Sequence, residues 1–93
     1  MAIYGKYEHH MKLTEMLSLF ENNGIPKSYY VVGGLGLGEC LGIERIDQKW
    51  HVYYSERGQK TTQAIFDSED EACHFMIDAI NERLKEDMGR SVQ

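Results

Sequence analysis

Three groups of residues in this 93-residue chain have types and spacings that chemistry could use. The first is the stretch VVGGLGLGECLG, residues 31–42, with glycine at 33, 34, 36, 38 and 42. A glycine-rich turn cradles phosphate when it follows a strand and opens a helix, whose free N–H groups then face the anion. Here Gly34, Gly36 and Gly38 follow YYVV, but position 39 is Glu and position 41 is Leu where a third glycine would complete G-x-G-x-x-G. No Lys-Ser or Lys-Thr pair follows, the next segment has a strand pattern, and Glu39 would repel a phosphate. The stretch therefore predicts a turn between strands, with glycine supplying positive φ at little steric cost.

Histidine and cysteine form the second group. His9 and His10 are adjacent, so on a helix they diverge by about 100° and cannot share a metal in the i, i+4 manner. His51 and His74 are read without a ligand partner. Cys40 and Cys73 form no C-x-x-C pair. Cys73 also falls in the apolar stripe of a helix, where a thiol is hard to ionise and hard to reach. No metal, cofactor or catalytic residue is expected from this set.

The carboxylates are the third. Fifteen Asp and Glu against ten Lys and Arg give a net charge of −5, and residues 69–93 hold seven acids and three bases. This balance opposes sequence-independent nucleic-acid binding, which needs a basic footprint. It suits a basic protein partner. MAIYGKYEHH lacks the pattern of a signal peptide, and no apolar run approaches the roughly 18 residues of a membrane span, so a cytoplasmic protein is expected.

The elements that position these groups follow from hydrophobic period. Leu13, Met16, Leu17 and Phe20 predict a first helix over 7–23, closed by Gly24 and Pro26 with Ile25 turned back onto Phe20. From 28 to 67 the period falls to two, in SYYVV, ECLGIERI, KWHVYYS and TTQAIFD. Short connections favour antiparallel neighbours, hence a four-stranded antiparallel meander. DSEDEACHFMIDAINERLKEDM predicts the closing helix, with a Ser68–Glu71 capping box and Ala72, Cys73, Met76, Ile80 and Leu84 as the buried stripe. Residues 89–93 are expected to fray. The result is one α+β domain over 1–93 with both helices on one sheet face. That face carries Leu41, Ile43, Trp50, Val52, Tyr54, Ala64 and Phe66, leaving Glu44, His51, Tyr53 and Gln63 on a solvated one.

A short N-terminal helix, YVVGG, KWHVYYSERGQK and FDSEDEACHFMIDAI together resemble small bacterial immunity proteins over about residues 28–84. These are the inhibitors encoded beside polymorphic or contact-dependent growth-inhibition toxins. The resemblance implies a non-catalytic cytoplasmic protein that binds the C-terminal domain of a cognate toxin, often a basic nuclease, and blocks its active site or assembly. It carries over no binding residue. From the residues themselves, the expected contact surface is the outer sheet face and the Glu56–Arg57 tip: Glu39, Glu44, His51, Tyr53, Glu56 and Arg57, with Tyr53 as aromatic anchor. A small enzyme or ligand-binding domain, and an adaptor or homodimer joined through a sheet edge, are the alternatives.

Overall fold

The computed structural model describes residues 10–36 and 38–87. Its elements are helix α1 (Leu13–Asn22), a 3₁₀ turn (Lys27–Tyr29), strands β1 (Tyr30–Val32), β2 (Cys40–Ile46), β3 (Lys49–Glu56) and β4 (Gln59–Phe66), and helix α2 (Glu69–Asp87). The expected α+β architecture holds. The sheet order is β1-β2-β3-β4. Residues 7–9 of the expected first helix, and the tail 89–93, lie outside the described residues; within them α1 starts at Leu13.

One strand direction differs from the expected meander. β2–β3 and β3–β4 are antiparallel, but β1 runs parallel to β2, with Tyr30 opposite Leu41 and Val32 opposite Ile43. The sheet is therefore mixed. Parallel neighbours ordinarily need a crossover of a dozen residues or more. Here β1 is only three residues long, so the chain must step back from the level of Ile43 to that of Cys40, about 10 Å at 3.3 Å per residue. Residues 33–39 span that gap easily. Gly33 and Gly34, at φ 74° and 71°, let the backbone double back where a side chain would be strained.

The two hairpins are tighter. Asp47–Gln48 (φ 49° and 67°) and Arg57–Gly58 (φ 52° and 76°) put positive φ at both central positions, the pattern of a two-residue type I′ turn. A bulge lies between Val52 and Tyr53: Val52 faces Ala64 but Tyr53 faces Thr62, which leaves Gln63 extra. The expected in-register set Thr62, Ala64 and Phe66 is thus broken. Ala64 and Phe66 stay opposite Val52 and Trp50, while Thr62 moves to the side of Tyr53.

α2 lies across β2, β3 and β4, and α1 packs on α2. Both helices close the same core, in which Met16, Phe20, Ile43, Val52, Met76, Ile80 and Leu84 are fully buried. α1 ends as its sequence indicates: Gly24 is left-handed, the Ile25 N–H donates to Phe20 O at 3.0 Å, and Ile25 is buried. α2 begins at Ser68, whose hydroxyl oxygen accepts the Glu71 N–H at 3.1 Å and whose O–H donates to the Glu71 carboxylate at 3.0 Å. Glu69 and Asp70 also act outside their own helix. Their carboxylates accept the N–H groups of Leu13 (2.6 Å) and Met11 (2.7 Å), closing the amino end of α1 where Lys12 offers no acceptor side chain. Among the described residues no helix is long and apolar enough to cross a membrane.

Candidate partner-binding surfaces

The outer sheet face is not the open surface expected. Cys40, Gly42 and Glu44 of β2 alternate onto it beside Ser55, Tyr53 and His51 of β3. Tyr53, the expected anchor, is only 1% exposed. Residues 33–36 fold over it: its hydroxyl donates to Gly34 O at 2.7 Å, and the Gly36 N–H donates to Ser55 Oγ at 3.1 Å. The ring rests on Gly42, where a Cβ would lie 2.2 Å from ring carbons. Burial, then the charge of Glu44, pushes the phenol up to about 12. Tyr53 is therefore a core residue of the second face. Period-two alternation assigned its side correctly but had no access to the cover, which comes from a segment almost twenty positions earlier.

The other expected contact residues are split between two sides. Glu44 faces His51 across β2–β3, is half-buried, and pairs with Lys60 at 2.9 Å while that ammonium sits 4.8 Å from the Tyr53 ring centroid. Glu56 and Arg57 stand at the β3–β4 tip, Arg57 exposed within the turn. Glu39 lies on the helix side, where its carboxylate accepts the Tyr54 O–H at 2.8 Å. Glu39 and Glu44 thus do not form one patch.

On that helix side a groove of about 420 Å³ opens between the end of α2 and β2–β3, lined by Glu39, Leu41, Tyr54, Ala79, Glu82, Arg83, Glu86 and Asp87. Among the described residues Arg83 is the one cation in this lining, and the protein itself holds it. Its guanidinium stacks 3.9 Å from the Tyr29 ring centroid, Nη1 donates to Glu39 O at 3.1 Å, and Nε reaches Asp87 at 3.4 Å. Tyr29 donates to the same Asp87 oxygen at 2.7 Å, and this bond raises the Tyr29 phenol above its ordinary value. The Glu82 and Glu86 side chains point from the exposed side of α2. This groove was missed from sequence. Arg83 and Asp87 at i, i+4 are legible there, but the bond from Arg83 to Glu39 joins residues 44 positions apart.

The remaining groups have local roles. The next element after the glycines is strand β2, so among the described residues no helix begins there to face a phosphate. Both cysteines are buried free thiols. Burial raises Cys40, and pushes Cys73 up to about 12 with help from Glu69 and Asp70, the reverse of nucleophile activation. His74 does have a partner, Asp70 at 3.2 Å one turn earlier, which the sequence reading passed over. Among the described residues no group of three or more His, Cys, Asp or Glu is placed to hold a metal ion. Comparison with protein-family models, curated proteins and solved structures yields no match.

Proposed function

We propose that this chain is an immunity protein, binding the C-terminal domain of a cognate bacterial toxin in the cytoplasm and neutralising it by occluding its active site or its assembly. The observation that carries this reading is the acidic groove. Four carboxylates surround apolar Leu41, Ala79 and the Tyr54 ring; among the described residues Arg83 is the one cation in the lining and is engaged, and Lys85 reaches Glu82 only at 3.8 Å, on the exposed side of the helix. Such a groove suits a lysine or arginine of a basic partner, the aliphatic stem lying on the apolar floor and the charge among the acids. A net charge of −5 favours the same encounter at long range. Placing the contact here revises the expectation of the outer sheet face, because Tyr53 is sealed and Glu44 is engaged by Lys60.

The homodimer reading has less support. An edge-to-edge dimer would pair β1, only three residues long, or β4, which is interrupted by a bulge and carries Lys60. Short, bulged and lysine-bearing edges are the devices that discourage such pairing.

The test is co-expression with the product of the neighbouring upstream gene, scored for rescue of growth, followed by binding kinetics. Glu82→Lys with Glu86→Lys should slow association by about tenfold or more, an effect that added salt shrinks. Glu44→Lys should change it little. No rescue by the unaltered chain would sink the function; rescue with unaltered kinetics for the helix variant would move the contact away from the groove.

A further inference from the structure

Cys40 and Cys73 are equally buried, at 2% and 0% exposure, but beneath different covers. Cys73 lies on the inner face of α2, within the main core. Cys40 lies on the opposite sheet face beneath Gly33–Gly36, so closely that a Cβ on Gly36 would be 2.2 Å from its Sγ. That covering segment has little apolar surface holding it. Three of its four residues are glycine, and its one large side chain, Leu35, is 49% exposed rather than packed. The Gly33 N–H donates to Ile43 O at 2.9 Å and pins its base, and two further bonds hold the rest, Tyr53 O–H to Gly34 O and Gly36 N–H to Ser55 Oγ. Beside it, Tyr30, Val31, Leu35, Gly36 and Cys40 line an open cleft of about 340 Å³, room into which the segment can swing.

We propose that Gly34–Gly36 is a latched strap, hinged at Gly33, that opens as a unit while the rest of the fold stays closed, uncovering Cys40 and widening the adjoining apolar cleft. The physical basis is that local opening follows the stability of each region: segments with few buried apolar contacts open at a fraction of the global free energy. Tyr53 and Ser55 are the latch, since both donor–acceptor pairs must separate for the strap to lift. The sheet beneath is unaffected, because Cys40 and Ser55 remain paired across β2–β3. Burial holds the Cys40 thiol unreactive in the closed state, so its alkylation reports the opening.

The two thiols supply the experiment. The full chain is treated with iodoacetamide over a series of urea concentrations. Modification at each cysteine is followed by mass spectrometry and normalised to its rate in the unfolded chain. Cys40 should react at least about tenfold faster than Cys73 in the absence of urea, with a rate nearly flat at low urea. The Cys73 rate should climb with urea throughout, as global unfolding requires. Tyr53→Phe keeps the ring on Gly42 but removes one latch bond, and should raise the normalised Cys40 rate without urea by about threefold to tenfold, the net worth of one hydrogen bond. Ser55→Ala removes the other and should act in the same direction; it serves alone if Tyr53→Phe does not fold. Equal normalised rates with a shared urea dependence would overturn the proposal. So would a Cys40 rate unmoved in whichever latch variant folds.

Discussion

Tyr53 concentrates several constraints in one side chain. Its ring needs Gly42 beneath it, its hydroxyl needs Gly34 O above it, and its proton is held because the phenolate would be stranded out of water. A methyl at position 42 has nowhere to go: the atoms it meets are the ring itself, backed by the strap. Gly42→Ala should therefore cost about 1–3 kcal/mol through overpacking, measured by urea denaturation. A cost below about half a kcal/mol would mean that the ring shifts freely. The pH dependence has a definite sign. The folded state holds the Tyr53 proton up to about 12, against an ordinary value near 10 in the unfolded chain. The stabilisation is complete below about pH 10 and is lost as pH rises toward about 12. Cys73, raised from about 9 to about 12, adds a loss of the same sign that begins lower. Tyr53→Phe should remove the tyrosine's share and flatten the alkaline limb of a stability–pH curve. It should also delete the highest-titrating phenol from an ultraviolet titration; an unchanged titration would contradict the burial.

At the scale of elements, two local compromises are visible. The β2–β3 turn needs positive φ at both central residues, and Gln48 occupies one of them at 67°. A side chain there is strained by roughly 1 kcal/mol, so Gln48→Gly, completing an Asp-Gly turn, should raise stability by about 0.5–1 kcal/mol in thermal or urea denaturation. Loss of stability would mean that the Gln48 side chain makes a contact that outweighs the strain. The second compromise joins the helices. α1 has no side-chain acceptor at Lys12; its own Glu15 takes the Lys12 N–H at 2.9 Å, and it borrows the rest from α2, Glu69 taking the Leu13 N–H and Asp70 the Met11 N–H. Glu69→Ala should cost about 0.5–2 kcal/mol, the range of a lost N-cap. Amide exchange should quicken in α1 before it does so in α2. Uniform quickening in both helices would show that the two unfold together.

For the whole molecule, the sheet is covered on both faces, and unequally. Among the described residues, two helices and eleven buried side chains close one side, against a glycine strap over Tyr53, Ser55 and Cys40 on the other. Energetic weight should follow. Met76 is fully buried in the main core, and Met76→Ala should cost about 2–5 kcal/mol, much of the roughly 5–15 kcal/mol that holds a small domain. Phe66 lies near the rim, half-buried with its ring 5.5 Å from that of partly exposed Phe75. Phe66→Ala should cost less than Met76→Ala, although more atoms are removed. The reverse order in urea denaturation would place the centre of the core nearer β4. Charge is likewise uneven at this scale: the groove along α2 gathers four carboxylates, two of them paired with Arg83 and Lys85, whereas Glu44 on the opposite face is paired with Lys60.

Much of this architecture was legible from local pattern. The 3.6-residue period of Met16 and Phe20, and that of Cys73, Met76, Ile80 and Leu84, determined two amphipathic helices. Gly24 and Ser68 marked a helix end and a helix start because capping is chemistry within a few residues. Alternation in β2 and β3 assigned each side chain to its face, and short turns assigned β2–β3–β4 as antiparallel. The direction of β1 was not local: it depends on whether residues 33–39 turn outward as a hairpin or fold back over the sheet. In the folded chain the segment after β1 is tied down by the hydroxyls of Tyr53 and Ser55, far along the chain. The bulge at Gln63 was hidden for a related reason, since it is a property of pairing between strands and not of β4 alone. The candidate surface depended most on tertiary structure. Sequence supplied the acids, but only folding sealed Tyr53, engaged Glu44 with Lys60, and brought Glu39 to Arg83 at the mouth of the acidic groove. Sequence order determines which residues repeat along an element; exposure and charge pairing are set by whatever the rest of the chain lays against it.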